Sequence, residues 1–324
     1  MTTAQLEEKA YRNLNQSALR QITKALDDDP SIDLEPVVNL LHSTYAKYRQ
    51  AVPERVVRQQ ERHVSSLVVS RVFSGRMVWE SGVRAVIQIS PDVAVKLTRS
   101  LDYDEHDVMR YLEERIPAIP APRALGLVTV GATAFMFMTL IPGTTLEARW
   151  SSLSSEAKGK IRGILDANLL ALRRVELPPG EPFGAPVGRR LCKDARNAIR
   201  VSPSPIYSEA AFNDYLMHDS SPRVATSYKS WLRSMLREDH RILFTHGDFH
   251  PRNVMITDGD DPELTGIIDW EMSGFYPEHW EYLKAMNTRS VTDTGDWWDH
   301  LPPCILGYDQ EVVLDRYIEA SRLY

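Results

Sequence analysis

Two cysteines, Cys192 and Cys304, are all that 324 residues contain. They lie far apart with no CxxC spacing, which argues against a disulfide framework and a thiolate zinc site. A reducing compartment is therefore expected. Long apolar runs are also missing: no stretch approaches the roughly 18 residues of a membrane-spanning helix. The opening MTTAQLEEKAYRNLNQ is mixed in charge and lacks an apolar secretory core. A soluble, cytoplasmic protein with no membrane partner is expected. Nor is there a basic excess, since 38 Lys and Arg face 44 Asp and Glu for a net charge of −6, which speaks against a nucleic-acid partner. Repeats and low-complexity segments are absent. What is present, 43% hydrophobic and 25% charged residues, describes an ordinary globular chain and excludes disorder, collagen-like repeats and coiled coil. The length suits two lobes, and nothing in it sets an oligomeric state.

Along the chain the texture changes twice. Residues 4 to 50 have apolar positions at three- and four-residue spacing and predict helices, a preface ending near residue 62. From Ser65, the runs VVSRVF, MVWES, AVIQIS and VAVKLT alternate with SG and SPD turns and predict antiparallel strands. A helix (DEHDVMRYLEERI) follows, ended by IPAIPAPRALG, and then the strands LGLVTV and AFMFMTLI close at Pro142-Gly143. Residues 63–142 thus form one lobe, and residues 143–324 a second, mainly helical one. The class is α+β, a bilobal arrangement with a small antiparallel sheet and one helix in the first lobe.

One β-rich island interrupts the helical half. RILFTHGDFHPRNVMITDGDDPELTGIIDWE reads as a strand, the polar loop HGDFHPRN, the strand VMI, the turn TDGDDP and the strand LTGII. A hairpin with its turn at Gly259–Asp261 puts Asn253 opposite Asp269 to within about a residue. Asp248, five residues before Asn253, reaches the same space. An amide and a carboxylate are hard oxygen donors suited to Mg²⁺, which is commonly held by one or two protein groups together with phosphate oxygens. Asp248 then remains as a proton acceptor. A base five residues before a metal-binding amide, followed by a metal carboxylate beyond a hairpin, is the order of the protein-kinase template H-R-D-x-x-x-x-N and D-F-G.

On these residues, THGDFHPRNVMI and GIIDWEMSGFYPEHWEYLKA, the chain resembles the aminoglycoside phosphotransferase-like family, which includes choline kinase relatives, and particularly its fungal members. The resemblance is close over about fifty residues and weaker from Val93 to the C terminus; residues 1 to 60 take no part. It implies the bilobal protein-kinase-like fold, with ATP between the lobes and Mg²⁺ on Asn253 and Asp269. It implies a small-molecule kinase that moves the γ-phosphoryl group to a hydroxyl, with Asp248 as base. Lys96, in the apolar strand VAVKL, is assigned by it to the nucleotide phosphates. Glu105, on the same helix face as Val108, Met109, Leu112 and Ile116, is assigned to hold Lys96 in place. No GxGxxG occurs; Ser81-Gly82 is the candidate phosphate turn, and Thr139 and Ile141 fall at the adenine linker. His246 is expected to hold the loop by hydrogen bonds rather than to move protons.

Departures from the protein-kinase pattern favour a small-molecule acceptor. His250 stands where protein kinases carry lysine, so the charge there is expected to depend on pH. Trp270-Glu271 replaces Phe-Gly, which argues against a mobile switch, and there is no APE motif. From Glu271 to Tyr324 ten acids face four bases, a hint of a cationic acceptor, with Trp280, Trp297 and Trp298 either stacking on it or lying in the core. Two alternatives stand beside this reading. A pseudokinase scaffold would bind nucleotide without catalysis, although all five key groups are present. An Fe(II)/2-oxoglutarate oxygenase would use the HxD of His246 and Asp248 with His279 or His300.

Overall fold

The computed structural model describes residues 72, 74–81, 84–98, 103–130, 133–196, 199–218 and 220–323. The helices expected in residues 4–50, the 1–62 extension, most of the VVSRVF run and Gly82 lie outside these residues. The chain divides into two compact units, one comprising the segments up to Asp102 and Pro122–Leu140, the other Tyr103–Ala121 and Ile141–Tyr324. No helix among the described residues is long and apolar enough to cross a membrane.

The first unit is a five-stranded antiparallel sheet of β1 (Arg76–Ser81), β2 (Arg84–Gln88), β3 (Val93–Thr98), β4 (Ala124–Val130) and β5 (Thr133–Thr139), in the order β1-β2-β3-β5-β4. Two-residue periodicity sorts its side chains. Val93, Val95 and Leu97 of β3 join Ile87, Leu125, Phe135 and Phe137 in one apolar cluster. The residues between them face the other way, and Lys96 lies there between Val86 and Met136 of the neighbouring strands.

The second unit starts with α1 (Tyr103–Arg115). That helix was expected with the sheet in the 63–142 lobe; its contacts place it in the second unit instead, packed on the 3-10 turn Trp270–Met272. Tyr111 of α1 stacks on Phe244 with ring centroids 5.6 Å apart. After the two-residue strand β6 (Thr144–Thr145) come α2 (Leu146–Trp150) and α3 (Ser155–Arg173). In α3 the four-residue spacing of Ala157, Ile161, Leu165 and Leu169 makes one buried stripe, and Ser154 caps its start by accepting from Ala157 N at 3.1 Å.

The hairpin β7 (Lys193–Ala195) and β8 (Ile199–Val201) was not foreseen, and α4 (Glu209–Met217) and α5 (Thr226–Met235) follow it. Asp194 of β7 is wholly buried among Lys284, Arg196 and Arg200 at 3.0, 2.9 and 3.1 Å. The β island supplies β9 (Ile242–Thr245), β10 (Val254–Ile256), β11 (Leu264–Ile267) and β12 (Gly274–Pro277); α6 (Trp280–Asn287) and α7 (Asp309–Leu323) complete the unit. β9 pairs with β12, while β10 pairs with β11 and with β6. Both cysteines are unpaired thiols.

Candidate active site

Strand pairing brings two loops together. Thr245 at the end of β9 lies opposite Gly274 at the start of β12, so the loop leaving β9 runs beside the segment 268–273. The backbone turns at once: Gly247 has φ +77°, and a Cβ there would run into the Met272 carbonyl, so only glycine fits. Glu281, buried in α6, fastens the turn by accepting from His246 N at 2.6 Å and Gly247 N at 3.1 Å. Burial pushes the Glu281 carboxyl above its ordinary range.

His246 is fully buried. Its Nε2 donates to Ile268 O at 3.0 Å and its Nδ1 accepts from Asp248 N at 3.2 Å, which fixes the tautomer and joins the two loops. The ring also meets Trp270 edge-on at 4.6 Å.

Asp248 and Asn253 are brought into direct contact. Asn253 Nδ2 donates to Asp248 O and Asp248 Oδ2, both at 2.9 Å, so the amide carbonyl is the edge left for a cation. Asn253 O accepts from Ile268 N at 2.9 Å, continuing the ladder in which Val254 faces Ile267. Asn253 therefore lies opposite Ile268, and Asp269 falls one residue beyond. Asp269 sits at φ 66° and ψ 67°, a left-handed conformation that costs a non-glycine residue about 1–2 kcal/mol. Such strain persists only where surroundings impose it, and here Trp270, fully buried with Nε1 donating to Ile267 O at 2.7 Å, does so.

Three carboxylates converge at Asp269. Glu105 of α1, Asp269 and Glu271 each offer an oxygen, all within 4.8 Å of one another. Glu105 is 5% exposed, which explains an acid on the apolar face of its helix. Hard oxygen donors at this density suit a divalent cation such as Mg²⁺. Glu271 was not anticipated as a member, and its neighbours in sequence, Trp270 and Met272, gave no reason to single it out.

The remaining predicted residues are distributed between the units. Lys96, 7% exposed, lies mid-strand in β3 of the sheet unit. Ser81 ends β1, exposed and paired with Arg84. Thr139 ends β5 opposite Val93 of β3, its Oγ1 accepting from Arg123 N at 2.9 Å. Ile141 lies just past the unit boundary, against Gly266.

Other expectations change. Burial, with Arg252 adding, lowers His250 to about 4, so the pH-dependent charge expected there does not arise near neutrality. The nearby cation is Arg252, whose Nη2 lies 2.8 and 3.0 Å from the two Asp248 carboxylate oxygens. Trp280 and Trp297 are core residues, 1% and 3% exposed. Several tail acids are engaged within the fold, among them Glu278 with Arg241, Asp296 with Lys158 and Asp315 with Arg196. The oxygenase alternative fails on geometry: His279 groups with Glu209 and His240 rather than with His246 and Asp248. His300 bonds Asp296 O at 2.9 Å.

The model of the APH family, described as a phosphotransferase enzyme family, matches residues 72–301. No curated protein sequence matches the chain. The solved streptomycin–ATP–APH(2")-IIa ternary complex is similar at TM-score 0.51 and 15% identity, over 80% of this chain and 86% of that one. A thermostable mutant of aminoglycoside phosphotransferase APH(4)-Ia, in ternary complex with ADP and hygromycin B, is similar at 0.50 and 13%, over 80% and 84%. Aminoglycoside-3'-phosphotransferase of type VIII is similar at 0.50 and 16%, over 76% and 93%. These likenesses show the fold, an antiparallel N-terminal sheet followed by a mostly helical part, as in protein kinases.

Proposed function

The chain belongs to the phosphotransferase enzyme family, and from that premise we propose that it is a small-molecule kinase moving the γ-phosphoryl group of ATP to an acceptor hydroxyl. The observation that carries the reading is Asp248 held by Asn253 at 2.9 Å, with the strained Asp269 one residue beyond Ile268, the ladder partner of Asn253. In the proposed roles, Asp248 Oδ accepts the proton of the acceptor hydroxyl as its oxygen bonds to phosphorus and the phosphorus–oxygen bond to ADP breaks. Asn253 orients that carboxylate through its Nδ2. Asn253 Oδ1 and Asp269, with Glu105 and Glu271 adjacent, would hold Mg²⁺, which when bound neutralises phosphate charge. Lys96 would neutralise the phosphates from β3 with Glu105 as its counter-ion, Ser81 and Gly82 would cover them, and the backbone at Thr139 and Ile141 would meet adenine. His246 keeps the loop in shape. These roles and the likeness to fungal members rest on the motif resemblance.

The acceptor is a small molecule carrying a hydroxyl. The tail acids give little support to a cationic one, because several of them already have partners inside the fold. The test is a screen of hydroxylated metabolites and antibiotics with ATP and Mg²⁺, read by mass spectrometry for a gain of one phosphate group. A phosphorylated product whose formation requires Asp248 is the expected result. Nucleotide binding with no phosphorylated product from any acceptor class would favour the scaffold reading.

A further inference from the structure

Away from the catalytic loop, two histidines and a glutamate meet in the interior. Glu209 opens α4, His240 precedes β9 and His279 precedes α6; each offers a ligand atom, all within 4.8 Å of one another. Glu209 Oε1 is 2.6 Å from His240 Nδ1 and 4.0 Å from His279 Nδ1. The imidazoles stand 4.5 Å apart between centroids at 63°.

An ion pair between Glu209 and His240 explains two of the three residues. It leaves His279, 5% exposed, whose buried Nδ1 has no hydrogen-bond partner. A buried polar atom without a partner is unfavourable and calls for a reason.

We propose that Glu209, His240 and His279 form a binding site for a transition-metal ion of the zinc class, held by two imidazole nitrogens and one carboxylate oxygen. Zn²⁺ binds such atoms at about 2.0–2.2 Å, which sets the ligand atoms of a tetrahedron roughly 3.3 Å apart. The observed separations of 2.6 and 4.0 Å bracket that spacing. Glu311 Oε1 lies 3.4 Å from His240 Nε2, where the second ring nitrogen of a ligating histidine meets a carboxylate. That Nε2 is likewise buried without a hydrogen bond. A cavity of about 10 Å³ adjoins both histidines, of the size one water fills as a fourth ligand. The ion joins His240, two residues before β9, the strand that delivers the catalytic loop, to His279, the residue before α6, whose Glu281 holds that loop.

The test uses the full chain without nucleotide, titrated with Zn²⁺ against a chromophoric chelator, with Co²⁺ absorption reporting coordination geometry and thermal unfolding reporting stabilisation. One Zn²⁺ per chain, a four-coordinate Co²⁺ spectrum and a raised Tm are expected, and they should persist in Asp269→Ala, which alters only the other candidate cation site. His279→Gln and Glu209→Gln, checked for folding by circular dichroism, should each weaken Zn²⁺ by at least about 10-fold. Absence of stoichiometric Zn²⁺ on the wild type overturns the site, as does undiminished binding in the folded variants. Should both variants misfold, the wild-type Co²⁺ spectrum decides, a six-coordinate signature counting against it.

Discussion

Glu281 holds His246 by its backbone rather than by its ring: a carboxylate from α6 accepts the His246 amide at 2.6 Å and the Gly247 amide at 3.1 Å. Glutamine in its place keeps one acceptor oxygen and turns an NH₂ toward the second amide, leaving a buried donor without a partner. Glu281→Gln should lose roughly 1–3 kcal/mol of stability. As a positioning residue acting through the loop, it should lower kcat while nucleotide KM changes little. Denaturant unfolding and steady-state kinetics check both; an unchanged kcat in a folded variant counts against the positioning role.

Asp248 and Asp269 should separate cleanly. Asp248→Ala is expected to lose on the order of 10²- to 10⁴-fold in turnover with nucleotide binding largely kept, as for a general base. Asp269→Ala should abolish Mg²⁺-dependent nucleotide binding instead. Calorimetry with and without Mg²⁺, beside turnover on an acceptor from the screen, distinguishes them; loss of nucleotide binding in Asp248→Ala would contradict its assignment.

Gly247 is required for its backbone as much as for space. At φ +77° a side chain is strained, and a Cβ meets the Met272 carbonyl, which is backbone and cannot swing away. Gly247→Ala should therefore destabilise by about 2 kcal/mol or more and displace the loop that carries Asp248. Thermal unfolding of the variant checks this, and a Tm equal to that of the wild type would show that the turn relaxes.

What could be read in advance was local. The TDGDDP turn set the β10–β11 hairpin, and two-residue alternation set β2, β3 and β5, because turn chemistry and strand period act over a few residues. Register came within one position, Asn253 facing Ile268 rather than Asp269. Missed were groups whose meaning depends on distant chain: Glu281, a buried acid in WEYLKAMN, and Asp194, whose partner Lys284 is 90 residues away. A charge in an otherwise buried helix was the available signal for Glu281. For Glu271 and Arg252 no local signal distinguished them from solvated neighbours. Placement of α1 with the second unit likewise follows from long-range packing on Trp270–Met272.

The buried cluster at Asp194 predicts how the fold responds to acid. Burial pushes its carboxyl up, but Lys284 and Arg196 outweigh burial and hold it well below the usual carboxylate range. A folded value below the unfolded one, about 3.9, means the stabilisation is fully present above that pH and is lost as pH falls toward the folded value. Asp194→Asn removes the charge and leaves buried cations facing a neutral amide, at a cost of roughly 3–5 kcal/mol near neutral pH. That deficit should shrink as pH drops below about 4, because the unfolded wild type then takes up a proton that the folded carboxylate still refuses, which erodes the stabilisation the charge supplies. Denaturant unfolding of both proteins from pH 7 to pH 3 measures it. A deficit that stays constant over that range would show that packing at Asp194, rather than its charge, is what the cluster needs.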